Sequence, residues 1–129
     1  MEGVDENIFF TDEGVWLKPI AEKKFKVGIS DYLVDKYKEF LYIEFKKGPG
    51  EEFSEGEVLA SLESLKHVFD LTLPFRGRVV GVNKNVEKDV VAINEKPMDT
   101  WLLEIEVMSE AVLKNLLTKN RFYEIVGKK

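Results

Sequence analysis

Residues 56–82, GEVLASLESLKHVFDLTLPFRGRVVGV, decide the fold that this sequence predicts. In residues 58–64, Val58, Ala60 and Leu62 share one face, and in residues 68–73, Phe69, Leu71 and Leu73 share one face, which is the pattern of β-strands with one buried face. The connection between them, residues 65–67, is so short that the two strands should form a hairpin. That hairpin would hold Lys66 at its exposed tip.

A lysine at the tip of a hairpin can be enclosed by a modifying enzyme, and its flexible stem then becomes the base of a swinging arm. Such a tether raises the effective concentration of an attached group at successive active sites. The chain has 19 basic residues, however, and most exposed lysines only keep a surface hydrated. Spacing alone therefore leaves Lys66 open as either an attachment site or an ordinary surface residue.

Further short strands are expected on both sides of the hairpin, separated by turns rich in Gly and Pro. They are residues 15–17, 25–29, 40–45, 78–82 and 101–107. Ser30 or Asp31 is expected to cap a short helix through about Tyr37. Ser109 is expected to begin a second helix with an apolar stripe along one face. The stripe comprises Val112, Leu113, Leu116 and Leu117.

The remaining segments complete a mainly β prediction. Residues 90–94 predict a short helix or an extended piece, and Asn120 is expected to cap a last helix that is followed by Gly127. Strands at this spacing favour a sandwich or flattened barrel of antiparallel sheets with short helices. The length of 129 residues suits a single domain, residues 1–129.

Composition excludes several classes of function. The net charge of −5 disfavours general nucleic-acid binding, which needs a basic surface. The sequence has no Cys and one His, so disulfides, thiolate metal sites, Cys nucleophiles, His-rich metal clusters and Ser-His-Asp triads are excluded. It shows neither a signal peptide nor a run long enough to span a membrane, so we expect a cytoplasmic protein.

The segment Glu63, Ser64, Leu65, Lys66 is similar to the Glu-Ser-Val-Lys of the glycine cleavage system H protein family, whose lysine carries lipoate. Other segments resemble that family in the same order. They are residues 16–17, 27–32, Asp70, 74–77, 79–83, 93–97 and 101–102. The resemblance covers a core of about residues 15–107, with helices over about 109–126.

The resemblance implies a barrel-sandwich hybrid, the lipoyl-domain fold, and a non-catalytic carrier. Lys66 would hold lipoate as an amide, and Glu63 would help a lipoate-attaching enzyme to recognise a hairpin flanked by Ser64, Leu65 and His67. The partners implied are the P protein (glycine decarboxylase), the T protein (aminomethyltransferase) and the L protein (dihydrolipoamide dehydrogenase). No nucleic acid and no membrane is implied.

Departures from the family leave alternatives open. His67 stands where the family has a small residue, and it is either a hydrated turn residue or a contact to the arm or a partner. The chain could instead be an H-like lipoate-binding protein that serves a heterodisulfide-reductase-like complex in sulfur metabolism, or an unmodified scaffold module. Biotin is disfavoured because the lysine that carries it normally lies between two Met residues, whereas Lys66 lies between Leu65 and His67. Glu13, Ser64 and Asp70 are candidate polar residues of a groove that shelters a loaded arm.

Overall fold

The computed structural model describes residues 7–127, which form ten short strands and a few short helices. The strands are β1 (Phe9–Phe10), β2 (Val15–Ala21), β3 (Lys24–Ile29), β4 (Phe40–Phe45), β5 (Glu52–Phe53), β6 (Ala60–Ser64), β7 (Val68–Leu71), β8 (Gly77–Val82), β9 (Leu103–Val107) and β10 (Leu117–Thr118). The helices are α1 (Asp31–Tyr37), α2 (Asn85–Lys88), α3 (Val91–Glu95) and α4 (Lys119–Val126), with 3₁₀ helices at Pro97–Asp99 and Glu110–Asn115.

The strands form two antiparallel sheets. The larger sheet has seven strands in the order β10-β1-β2-β3-β9-β8-β5, and the smaller has three in the order β4-β6-β7. The predicted mainly β, lipoyl-domain-like fold of two antiparallel sheets with a C-terminal helix is therefore confirmed. No helix within residues 7–127 combines the length and apolar character needed to cross a membrane.

The core lies between the sheets and is built from alternate residues of their strands. Strand β9 buries every second side chain from Leu103 to Val107. Leu62 of β6 and Leu71 of β7 are fully buried in the same cluster. Each such apolar side chain contributes roughly 1.5–3 kcal/mol when removed from water, which holds the hairpin strands onto the rest of the fold.

Helix α1 begins where the sequence predicted. The Ser30 side chain accepts a hydrogen bond of 3.3 Å from the Leu33 N–H, which satisfies one free donor of the first turn. Leu33 is the buried residue of the helix. This cap matters for the site because α1 lies beside the β6–β7 hairpin.

The C-terminal segment differs from its prediction. Ser109 caps a helix as expected, but that helix is a 3₁₀ helix ending at Asn115, and Leu117 lies in β10 opposite Phe10. Pairing with β1 overrides the helical stripe because Leu117 packs in an apolar cluster around Phe10. The prediction of Asn120 as a cap is also wrong, since Thr118 accepts the capping bond from the Arg121 N–H at 3.2 Å.

Helix α4 is held against the larger sheet by aromatic contacts. Phe122 stacks on Phe10 with ring centroids 4.5 Å apart. The Tyr123 hydroxyl donates a 2.6 Å hydrogen bond to Asp31, at the first residue of α1. Gly127 ends the helix in the left-handed conformation, φ 78°, as the sequence predicted.

Candidate functional site

Strands β6 and β7 form the predicted hairpin. Leu62 is opposite Phe69, and Glu63 is opposite Val68. The Ser64 N–H then donates to the His67 carbonyl at 2.8 Å. Leu65 and Lys66 are left as the two residues at the tip.

The turn is ordered by its own hydrogen bonds. The Ser64 Oγ accepts from the His67 N–H at 3.2 Å and lies 3.1 Å from the His67 carbonyl, to which it can donate. Neither Leu65 nor Lys66 is among the described residues with positive φ, so a leucine and a lysine occupy the tip without backbone strain. The sequence at the tip therefore fits its conformation.

Lys66 is exposed, and within residues 7–127 its ammonium has no hydrogen-bond or salt-bridge partner. The neighbouring Leu65 is 82% exposed. An uncommitted ammonium at a protruding turn is accessible to an enzyme that must surround it to acylate it. Lys66 thus fits the covalent attachment that the resemblance implies there.

Glu63 lies on the outer face of the smaller sheet, away from the core. It is exposed between Tyr42 of β4 and Val68 of β7, which are its partners in register. The next row on this face holds Asp70, whose carboxylate accepts a 2.7 Å hydrogen bond from the Ser61 hydroxyl. A partner that approaches Lys66 along this face meets carboxylates and exposed apolar side chains.

Two grooves lie beside the hairpin, on either side of Tyr37. The tip groove, about 460 Å³, lies between the end of α1, the start of β4 and the turn, and Leu41, Ser64, Lys66 and His67 are part of its lining. The acidic groove, about 490 Å³, has Asp12, Glu13 and Asp70 in its lining. The structure thus brings Glu13 and Asp70 together, whereas Ser64 faces the other groove.

Lys36 and Tyr37 line both grooves. The Tyr37 ring stacks on Phe40 at 5.4 Å and meets the rings of Phe69 and His67 edge-on at 5.7 and 6.3 Å. The sequence analysis did not predict either residue as part of the site. The signal was the helical spacing of α1, but which of its faces meets the hairpin depends on the tertiary packing.

Two antiparallel sheets that present a lysine at the tip of a hairpin define a carrier domain of the lipoyl-domain class. The sequence profile of the family described as Glycine cleavage H-protein matches residues 8–129. The chain belongs to the glycine cleavage H-protein family.

Individual relatives agree with this assignment. A glycine cleavage system H protein of Listeria monocytogenes is 31% identical over 122 residues, covering 94% of this chain and 96% of the relative. One of Coprothermobacter proteolyticus is 31% identical over 123 residues, covering 95% and 96%. The crystal structure of a glycine cleavage system H protein from Mycobacterium marinum superposes with a TM-score of 0.81 at 26% identity, covering 95% of this chain and 98% of that one.

Proposed function

We propose that this chain is the lipoyl carrier of a glycine cleavage system, with lipoate held as an amide on Lys66. It would pass an aminomethyl group from the P protein to the T protein, and the L protein would reoxidise the dithiol. The observation that carries the proposal is the exposed ammonium of Lys66, which has no hydrogen-bond or salt-bridge partner within residues 7–127, at the hairpin tip of an H-protein fold. When bound, lipoate supplies a dithiol/disulfide couple that accepts the transferred group.

The hairpin supplies recognition for lipoate attachment. Glu63 projects from the outer face three residues before Lys66, where its carboxylate is open to an attaching enzyme. Ser64 and His67 fix the turn, and Leu65 offers an exposed apolar contact beside the acceptor lysine. Attachment as an amide removes the positive charge of Lys66, so the modified tip is less polar than the free lysine.

The acidic groove suits a cationic load. Three carboxylates, Asp12, Glu13 and Asp70, face this groove together with one ammonium, that of Lys36. A protonated amine is attracted to such a site, and enclosing it keeps water from the labile bond that holds it. A sulfur intermediate with negative charge would be repelled, which favours the glycine cleavage role over the sulfur-metabolism alternative.

The chain itself would perform no catalysis. Its residues would position a group whose chemistry takes place in the active sites of the partner proteins, which fits the membership of the chain in the glycine cleavage H-protein family. We place it in the cytoplasm with those partners. No nucleic-acid or membrane role is part of the proposal.

The test is glycine-dependent exchange of labelled carbon dioxide by the P protein of the same organism, with the lipoylated chain as the acceptor. We expect exchange that depends on the chain and is lost in Lys66→Arg, which keeps the positive charge but cannot be lipoylated. No exchange with this P protein, although Lys66 is lipoylated, would reject the glycine cleavage role. A chain that is never lipoylated would support the unmodified scaffold.

A further inference from the structure

The two sheets have four edge strands within residues 7–127, and three of these are protected from pairing with another chain. Strands β5 and β10, at the two ends of the larger sheet, have only two residues each. Strand β4 has a bulge at Leu41, and the Asn94 side chain accepts from the Phe40 N–H and donates to the Phe40 carbonyl, both at 2.8 Å. Short strands, bulges and covered main-chain groups are common ways in which a sheet edge is blocked.

Strand β7, the remaining edge, has none of these features. Its four residues, Val68–Leu71, include no Lys and no Pro, and its register with β6 has no shift. The Ser64 N–H bonds to the His67 carbonyl, and from that point hydrogen-bonded and non-hydrogen-bonded pairs alternate along the hairpin. Val68 and Asp70 fall in non-hydrogen-bonded pairs, so their N–H and C=O groups point away from β6 to the open edge. Within residues 7–127 no turn or side-chain hydrogen bond reaches these groups.

The open edge of β7 borders the acidic groove. Phe69 and Asp70 both line this groove, although consecutive residues of a strand point to opposite faces of its sheet. A groove that touches both residues therefore lies along the edge of the strand. Its carboxylates, those of Asp12, Glu13 and Asp70, outnumber its one ammonium, that of Lys36, so the groove has a net negative charge. Strand β7 is about 13 Å long at roughly 3.3 Å per residue, which is long enough to pair with three or four residues.

We propose that the open edge of β7 is the docking site of an extended segment, bearing Lys or Arg, of the enzyme that attaches lipoate to Lys66. This rests on the proposed function. The segment adds a strand to the smaller sheet through hydrogen bonds with the main chain of Val68 and Asp70. Its basic side chains meet the carboxylates of the acidic groove, and this charge complementarity favours a cationic segment over a neutral or an acidic one.

The position of this edge favours the attaching enzyme over the other partners. Val68 follows Lys66 by two residues, about 7 Å along the chain, so an enzyme that encloses the lysine also reaches the edge. The attaching enzyme meets the chain before it carries an arm. The other partners meet the chain only after lipoylation, when the arm can compete for the same groove.

The first measurement uses the unmodified wild-type chain with saturating attaching enzyme and no lipoyl donor, so that no transfer takes place. Amide hydrogen exchange is followed residue by residue by NMR. We expect the amides of Val68 and Asp70 to exchange at least about tenfold more slowly in the complex, because the added strand accepts from both N–H groups. The amides of α4, which packs against the larger sheet, should exchange at unchanged rates.

The second measurement is the KM of the attaching enzyme for the chain. Val68→Pro removes one donor at the edge but keeps the pairing with β6, since proline is tolerated in an edge strand where the N–H faces away from the sheet. We expect its KM to be about three- to tenfold higher than that of Val68→Thr, which keeps the N–H and the β-branched shape. Glu13→Gln should raise the KM about two- to threefold at low salt and less at high salt, whereas Glu87→Gln, in α2, should not change it.

Unchanged exchange of Val68 and Asp70 in the complex would overturn the docking site, and this measurement does not depend on the folding of any variant. Equal KM values of Val68→Pro and Val68→Thr would overturn it as well. Exchange that slows as the concentration of the chain alone rises would assign the edge to a second copy and also overturn it. The proposed function fails separately, because it requires a lipoyl group on Lys66 by intact mass and exchange of carbon dioxide with the lipoylated chain.

Discussion

The backbone N–H of Ser64 donates to the carbonyl of His67 at 2.8 Å, and this bond leaves only Leu65 and Lys66 beyond the end of the hairpin. The Ser64 hydroxyl adds a 3.2 Å bond from the His67 N–H. The shape of the tip is thus set by local hydrogen bonds, while the Lys66 side chain is exposed, where another protein can enclose it.

We expect Ser64→Ala to slow lipoylation of Lys66 by a purified lipoate ligase several-fold. The hydroxyl bond in the turn is lost, but its exposed partner can bond to water, so the free energy of unfolding should fall by less than about 1 kcal/mol. The matched control is Ser54→Ala, in another exposed turn. A Ser64→Ala chain that is lipoylated at the wild-type rate would show that the turn geometry is not recognised.

Asp70→Asn should shorten the lifetime of the aminomethyl-loaded arm. Loss of one exposed attraction of up to about 1 kcal/mol corresponds to a roughly two- to fivefold faster release of the loaded group. The release of formaldehyde or ammonia from loaded protein measures it. Glu87→Gln, an exposed acid in α2 outside both grooves, should leave the lifetime unchanged. Equal lifetimes in Asp70→Asn and wild type would show that the acidic groove does not hold the loaded arm.

Gly28 is required by close packing against Trp16. A Cβ at position 28 would lie 2.3 Å from Cζ2 of Trp16, whose indole N–H donates to the Pro97 carbonyl at 2.9 Å. Gly28→Ala must displace that ring, and we expect it to cost about 1–3 kcal/mol in chemical denaturation. Gly81→Ala is the control, since its Cβ would meet nothing nearer than 4.0 Å. Equal stability of the two variants would contradict this packing.

Tyr123 should make the stability sensitive to alkaline pH. Burial, and then the hydrogen bond to Asp31, raise the pKa of the Tyr123 phenol far above its usual value near 10. Because the pKa of Tyr123 is raised in the folded state, its contribution to the free energy of unfolding is complete below the pKa of the phenol in the unfolded chain. That contribution is lost as pH rises from there through the pKa of the folded state.

We therefore expect Tyr123→Phe to lower the free energy of unfolding by about 1 kcal/mol at pH 7. The difference from wild type should shrink as pH rises above about 10. Denaturation curves at pH 7 to 11 measure it, with Tyr42→Phe as a control because Tyr42 is 67% exposed. A difference that is constant with pH would show that the Asp31 bond does not depend on the phenol proton.

The hairpin could be predicted because its signal is local. Apolar residues at every second position in 58–62 and 69–73 predict the two strands, and a short connection then places Lys66 at the tip. The tip groove could not be predicted. Leu41 is the extra residue of a bulge in β4, between Phe40 and Tyr42, and Lys38 has a positive φ of 80°. Neither feature leaves a periodic pattern in the sequence. The place of Leu117 in a strand could not be predicted either. Its spacing from the preceding apolar residues predicts a helix, but it pairs with Phe10 of β1, more than 100 residues earlier in the chain.

The short strands β1 and β5 were missed for a similar reason. Each has two residues, which is too few to show a period, and each exists because a longer strand lies beside it. The assignment of Glu63 to recognition by a lipoate-attaching enzyme, with Ser64, Leu65 and His67 as the flanks of the acceptor lysine, stays a prediction from the resemblance. The structure adds their geometry, since Ser64 and His67 are hydrogen-bonded across the turn and Glu63 and Leu65 are exposed.

Whether Lys66 carries lipoate is tested directly by the intact mass of the protein from cells with active lipoate attachment, followed by peptide mapping. We expect one lipoyl increment on the peptide that contains Lys66, and none in Lys66→Arg. An unmodified Lys66 in cells where another lipoyl acceptor is fully modified, or an increment that persists in Lys66→Arg, would contradict the account.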